Sequence, residues 1–160
     1  MEIYRAHVLV CSGTGCTSSN SGKVLVEFEE HLKKHNLENE VKIVKTGCFG
    51  LCAEGPIVVV YPEGAMYTMV RPEDVKEIVE EHLLKGRIVK RLLAGNKEEE
   101  DVSKSLENVE FFKKQMRVAL RNCGVINPEN IDEYIAFDGY KALAKVLTEM
   151  TPEEVIETIK

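Results

Sequence analysis

The sequence lacks any apolar run near the roughly 20 residues that a membrane-spanning helix requires. Its first ten residues carry Glu2, Arg5 and His7 where a secretory signal would need an apolar core, so we expect a cytoplasmic protein without membrane insertion. It also lacks an excess of basic charge: 21 Lys and Arg stand against 27 Asp and Glu. We therefore expect no nucleic-acid partner and no anionic membrane surface.

What is present is the composition of an ordinary folded protein. The 160 residues are 44% hydrophobic and 30% charged, which excludes a disordered or collagen-like chain and predicts one or two small domains. Five cysteines are an odd number for a disulfide scaffold. In a chain without a secretion signal they favour a reduced compartment, with thiols that bind a metal or act in catalysis.

The first part of the chain alternates short apolar runs with glycine-rich loops, which is typical of an α/β domain. The order is βαββα. The predicted elements are a strand over 5–10 that ends at Cys11, a helix over about 22–34 capped by Ser21, a strand over 41–45, a strand over 57–61 with a hairpin partner over 65–70, and a helix that opens at Pro72.

The second part shows only helical patterns and forms a small all-α segment. An acidic run, 98–101, marks a linker that we place at 87–107, between a domain over 1–86 and the helical part over 108–160. The predicted helices begin near Phe112 and then cover 131–137, 140–147 and 152–159, with Asn127-Pro128 as an interruption.

Four cysteines form two closely spaced pairs, Cys11 with Cys16 and Cys48 with Cys52. Each pair follows a predicted strand, and neighbouring strand ends in an α/β sheet lie side by side, so four sulfurs can converge. Soft thiolates select zinc or an iron–sulfur cluster. Spacings longer than C-x2-C favour a two-iron cluster, which is wider than one tetrahedral zinc ion, although zinc stays an alternative.

Residues around these pairs suit a buried negative cluster. Glycines allow main-chain N–H groups to approach sulfur, and we expect the hydroxyls of Ser12, Thr14 and Thr17 to face it as well. Cys123 stands alone in the helical part and is interpreted as a packed thiol. The four histidines, His7, His31, His35 and His82, are interpreted as surface or strand residues and not as ligands.

At the cysteines the sequence resembles the thioredoxin-like [2Fe–2S] ferredoxin family. The resemblance covers about residues 1–84 and rests on Cys11-Ser12-Gly13-Thr14-Gly15-Cys16, on Gly47-Cys48-Phe49-Gly50-Leu51-Cys52, on Gly55-Pro56 and on Tyr61-Pro62. It implies a thioredoxin-like fold and a [2Fe–2S] cluster held by the four cysteines.

Beyond the linker, residues 112–126, 131–147 and 150–156 resemble the segment that leads into the flavin-binding core of the NADH-dehydrogenase flavoprotein subunit. Asp138 stands where relatives have the first glycine of a Gly-Gly-Tyr. The combination is similar to the NAD(P)-linked subunit of electron-bifurcating iron-only hydrogenases. We expect an N-terminal fragment of such a subunit, in which FMN, NAD(P) and a [4Fe–4S] cluster belong to the missing remainder.

The expected function is one-electron transfer through the cluster. No flavin, nicotinamide or acid–base constellation is found, so the chain alone is expected to be an electron carrier, whereas its parent subunit would be an NAD(P)-dependent oxidoreductase. Its expected partners are other iron–sulfur and flavin subunits of a hydrogenase or dehydrogenase complex. The alternative is a non-redox, zinc-stapled docking module, and exposed apolar faces of the helical part would favour association of the chain with itself.

Overall fold

A computed structural model of the chain describes residues 4–94 and 114–160. Its first part is built on a four-stranded sheet with the order β2-β1-β3-β4. β1 and β2 are parallel, whereas β3 is antiparallel to β1 and to β4. The strands are β1 (Ala6–Cys11), β2 (Val41–Thr46), β3 (Val58–Tyr61) and β4 (Ala65–Tyr67).

Helices cover one face of this sheet. α1 (Thr14–Ser18) and α2 (Ser21–Lys34) connect β1 to β2, and α3 (Pro72–Glu77) follows β4 and continues into a π-helical turn, Ile78–Leu83. α2 is amphipathic because Val24, Phe28 and Leu32 recur at helical spacing, and all three are buried. The predicted α/β class is confirmed, and all four predicted strand runs are strands, so the order is βαβββα, one strand more than βαββα, with α1 as an added helix.

Alternation along β1 divides the core into two layers, because successive strand side chains point to opposite faces. Val8 and Val10 pack in the layer beneath α2 and α3. Leu9 and Cys11 lie in the opposite layer, together with Phe49. The last residue of β1 is therefore a cysteine that is already buried when the chain leaves the sheet.

Within residues 114–160, the second part contains three short helices: α4 (Ile131–Ala136), α5 (Lys141–Glu149) and α6 (Pro152–Ile159). They correspond to the three predicted helices after Asn127. Their apolar side chains remain largely exposed, as Leu147 at 75% and Ile159 at 82% show. No helix in the described ranges is both long enough and apolar enough to cross a bilayer.

Two local predictions for the first part are wrong. The loop between the first two cysteines contains α1, which closes with a bond from the Thr17 N–H to the Gly13 carbonyl at 2.9 Å. Ser21 is the first residue of α2 and is buried, whereas Asn20, in a left-handed conformation (φ 70°), holds the cap position.

The segment 88–94, which falls in the predicted linker, is packed against the sheet. The Thr68 N–H donates to Leu92, the Ala94 N–H donates to Met66, and Leu93 forms a bridge with Tyr67. These main-chain bonds join residues far apart in sequence, so local composition could not indicate them. The rest of the predicted linker, 95–107, lies outside the described residues, and the proposed domain boundary stays a prediction.

The helix predicted near Phe112 is wrong where it can be compared. Residues 112 and 113 lie outside the described residues, and 114–120 form turns and irregular chain. Met116 is 88% exposed and Val118 71%, so the apolar periodicity has no surface to pack against. Helical spacing without a packing partner does not stabilise a short helix.

His82 is buried, which corrects its interpretation as a surface or strand histidine. Its Nδ1 lies 2.8 Å from the Tyr67 hydroxyl, which in turn accepts the Val89 N–H at 3.2 Å. Its Nε2 lies 3.5 Å from a Glu63 carboxylate oxygen. Burial lowers the pKa of His82, although Glu63 opposes that shift, and burial raises the pKa of Tyr67 far above its ordinary value.

Candidate metal centre

Three loops meet at one edge of the sheet. β1 and β2 are parallel and in register, with Cys11 opposite Thr46, so the two chains leave the sheet side by side. The Ser12 N–H donates to the Thr46 carbonyl at 2.9 Å and keeps them together for one residue more. β3 runs the other way, and the Cys11 N–H donates to the Ile57 carbonyl at 3.0 Å. The loop that enters β3 therefore ends at the same edge.

All four predicted cysteines lie at this edge and are free thiols; Cys11 is the last residue of β1 and Cys16 lies in α1, whereas Cys48 and Cys52 belong to the connection that follows β2. Cys11 and Cys16 are buried, at 0% and 1% exposure. Cys48 is half-buried and Cys52 is exposed, and their sulfurs are 3.8 Å apart. The site thus has an inner pair from the first loop and an outer pair from the second.

Glycines let the two loops approach each other at the sulfurs. A Cβ added to Gly13 would stand 2.9 Å from the Cβ of Cys48 and 3.1 Å from its sulfur. A Cβ added to Gly15 would stand 3.0 Å from the Cβ of Cys52. A glycine that follows the second cysteine pair likewise approaches the first pair: a Cβ added to Gly55 would stand 2.7 Å from the sulfur of Cys16.

Main-chain N–H groups point at two of the sulfurs. The Gly50 N–H donates to the sulfur of Cys48 at 3.3 Å, and Gly50 adopts φ 91°, a conformation that favours glycine. At Cys16, burial raises the pKa, and a main-chain hydrogen bond from Ile57 opposes that rise. The expected role of Thr17 is wrong, because its hydroxyl donates to the Ser12 carbonyl at 3.2 Å.

Electrostatics links the two pairs. Burial raises the pKa of Cys16 to about 12, and the neighbouring Cys11 and Cys48 add to that rise. The pKa of Cys52 is raised first by its hydrogen bond to Cys48, with a further contribution from Cys11. Four sulfurs this close cannot all be thiolates without cations to balance them.

This donor set fits a cluster better than a single ion. Thiolates with N–H bonds to sulfur are the ligands of iron–sulfur clusters, and the glycine contacts leave the sulfurs without competing side chains. Within the described ranges, no group of three or more His, Cys, Asp or Glu side chains is arranged to hold one metal ion. The structure brings the cysteines together as two pairs at one edge and does not place four sulfurs around one point.

The structure also places Cys123 beside this site, which sequence spacing could not show. A Cβ added to Gly47 would stand 3.5 Å from the sulfur of Cys123. The next residue, Gly124, adopts φ 81° and contacts the ring of Phe49. Phe49 lies between Cys48 and Cys52 in the sequence. Cys123 thus packs on the outer loop, as a packed thiol should, without joining the two pairs.

Comparison with known proteins gives a consistent result for the first part. The sequence model of the family described as "Thioredoxin-like [2Fe-2S] ferredoxin" matches residues 2–83. "Ferredoxin, 2Fe-2S" of Clostridium pasteurianum is 46% identical over 94 residues, which are 54% of this chain and 92% of that protein. The crystal structure of the wild-type thioredoxin-like [2Fe–2S] ferredoxin of Aquifex aeolicus covers 59% of this chain and 100% of its own, with 38% identity and a TM-score of 0.53.

A further relative is a much longer protein. "NADP-reducing hydrogenase subunit HndC" of Solidesulfovibrio fructosivorans is 65% identical over 48 residues. These residues are 30% of this chain and only 10% of that subunit.

Proposed function

This chain belongs to the thioredoxin-like [2Fe–2S] ferredoxin family, and on that premise we propose that Cys11, Cys16, Cys48 and Cys52 hold its [2Fe–2S] cluster and that it transfers single electrons. The observation that carries this proposal is the convergence of both cysteine pairs at one sheet edge, with glycines against their sulfurs. When bound, the cluster supplies a one-electron couple between ferric and ferrous iron.

The inner and outer cysteine pairs have different roles in this proposal. Cys11 and Cys16 anchor the inner side in the core, where burial excludes water. Cys48 and Cys52 close the outer side, and the exposed Cys52 gives electrons the shortest route to the surface. The hydrogen bond from the Gly50 N–H to the sulfur of Cys48 stabilises negative charge on that sulfur.

The likeness to a hydrogenase subunit supports a place in a larger assembly. We propose that the cluster exchanges electrons with iron–sulfur and flavin subunits of a hydrogenase or dehydrogenase complex. FMN, NAD(P) and a [4Fe–4S] cluster would then belong to the rest of the parent subunit. The exposed apolar faces of α5 and α6 support the proposal that the helical part packs on that remainder.

The alternative of a zinc-stapled docking module is not supported. The matching family and the relatives named for their cofactor are [2Fe–2S] proteins. Zinc in a structural site needs four ligands around one ion.

Single substitutions test the ligand set. Cys11→Ala, Cys16→Ala, Cys48→Ala and Cys52→Ala should each abolish or sharply reduce the iron and acid-labile sulfide in anaerobically purified protein. Cys123→Ala is the matched control, because its thiol lies beside the site without joining the pairs. A full complement of iron in any of the first four variants would refute that residue's role.

A further inference from the structure

The second part of the chain is fastened to the end of β2, two residues before Cys48. Thr46 is fully buried, and its hydroxyl donates to the Ile126 carbonyl at 3.1 Å. The same hydroxyl accepts the Gly124 N–H at 3.1 Å. One side chain therefore satisfies two main-chain groups of a segment nearly 80 residues away.

The contact continues along the loop that carries Cys48. Gly124, at φ 81°, lies so close to Phe49 that a Cβ would stand 2.4 Å from the ring. Phe49 is only 2% exposed, and the Cys123 sulfur approaches Gly47. Residues 46, 47 and 49 thus all touch the segment 123–126, which we call the clamp.

Two ion pairs flank the clamp on the same strand. Lys42 lies 3.2 Å from Glu133, and Lys45 lies 3.0 Å from Glu129. Both lysines are at least 40% exposed, so solvent screening leaves these pairs weak. The buried hydrogen bonds of Thr46 therefore decide whether the clamp stays in place. Breaking them leaves the Ile126 carbonyl and the Gly124 N–H buried without a hydrogen-bond partner.

We propose that Thr46 and Gly124 are positioning residues that hold the clamp against the Cys48 loop and thereby set the reduction potential and the retention of the cluster. This inference rests on the proposed function, because it takes Cys48 as a ligand. The clamp fixes the backbone from which the Cys48 sulfur and its Gly50 N–H partner extend.

The direction of the effect follows from charge. Reduction adds one negative charge to the cluster, and water stabilises that charge better than a packed protein surface does. Releasing the clamp admits water to the loop at 46–49, so the potential should become more positive. A looser loop should also release iron faster to a chelator.

The test compares Thr46→Val with Thr46→Ser in the full chain with its cluster in place. Valine keeps the shape but removes both hydrogen bonds, whereas serine keeps the hydroxyl. Thr148→Val is the matched control, because its exposed hydroxyl donates within α5, to the Ala144 carbonyl at 2.8 Å. Gly124→Ala disturbs the same contact from the other side and serves if Thr46→Val does not fold.

Readouts are the midpoint potential, followed by electron paramagnetic resonance, and the rate of bleaching by a chelator. We expect Thr46→Val and Gly124→Ala to show a more positive potential and about tenfold faster bleaching. Thr46→Ser and Thr148→Val should match the wild type. Full iron with unchanged potential and bleaching in both disruptive variants would overturn this inference alone, whereas a wild type that binds no iron would overturn the proposed function with it.

Discussion

Gly55 lies so close to Cys16 that a Cβ on the glycine would stand 2.7 Å from the cysteine sulfur. The backbone of Gly55 (φ −73°, ψ 158°) is one that any residue can adopt, so the requirement for glycine here is one of space alone. The loop that enters β3 can therefore close over the inner cysteine only if it carries no side chain at this position.

Gly55→Ala should consequently displace the loop or the Cys16 sulfur, and we expect a several-fold loss of bound iron. Iron content per chain in anaerobically purified protein measures the effect. Gly22→Ala is the control, since nothing lies within 4 Å of its added Cβ and it stands inside α2. That variant should keep its iron and gain ~0.5–1 kcal/mol of stability. Equal iron in both variants would contradict the steric account.

The buried phenol of Tyr67 joins the end of the π-helical turn to the segment after it. Tyr67→Phe removes the partner of His82 and leaves the Val89 N–H buried without an acceptor. The free energy of unfolding, measured with urea, should fall by about 1–3 kcal/mol. Tyr140→Phe, at a half-exposed ring, should change it by less than about 0.5 kcal/mol. Equal small losses would show that the buried hydroxyl contributes nothing.

His82 should make stability depend on pH. Burial holds its pKa in the folded state below the ordinary value of about 6.5, so the unfolded chain takes up a proton first as the pH falls. Its contribution is complete above about pH 6.5 and is lost below it. Protonation would also make Nδ1 of His82 a donor, so that the Tyr67 hydroxyl could no longer donate to it.

Urea unfolding of the wild type between pH 8 and 5.5 should therefore show stability falling on the acid side of 6.5, by at most about 1.4 kcal/mol per pH unit from this group. In His82→Asn the loss over the same range should be smaller, even though the variant is weaker at pH 8. Glu63 is the facing carboxylate, so Glu63→Gln should steepen the acid loss. An identical slope in wild type and His82→Asn would rule out this histidine as the cause.

α6 depends on its first residues, because its apolar side chains find little to pack against. The Thr151 hydroxyl accepts the Glu154 N–H at 3.3 Å, and the Glu154 carboxylate accepts the Thr151 N–H at 2.8 Å. These bonds also hold the pKa of Glu154 below its usual value. Thr151→Ala should weaken the helix by about 1 kcal/mol, seen as roughly fivefold faster amide exchange at 153–156. Thr158→Ala, near the other end of α6, should leave amide exchange at 153–156 unchanged.

The placement of the cysteines could be predicted because it depends on local pattern. The apolar run before Cys11 and the run over 41–45 are strands by composition, and the carboxyl ends of parallel strands meet at one edge. The confirmed α/β class follows from that pattern, whereas the confirmed family and its [2Fe–2S] cofactor are what the resemblance at the cysteine motifs implies. The burial of His82 was also within reach, since it lies four residues after Ile78 and three after Val79, on the apolar face of the predicted helix.

Other features rest on contacts that no short stretch of sequence encodes. α1 has five residues of poor helix-forming character and is stabilised by the packing of Cys16. Residues 88–94 look like the start of a linker until Leu92 and Ala94 bond to the end of β4. Thr46 is an ordinary strand threonine by sequence, and only the fold shows that it bonds to Gly124 and Ile126.

The central claim is tested most directly on one anaerobic sample of the wild-type chain, by counting iron and acid-labile sulfide and recording the electron paramagnetic resonance spectrum after dithionite reduction. We predict about two irons and about two sulfides per chain, with a spin-half signal that appears on reduction. A colourless protein that holds one zinc and takes up no iron on reconstitution would contradict the account.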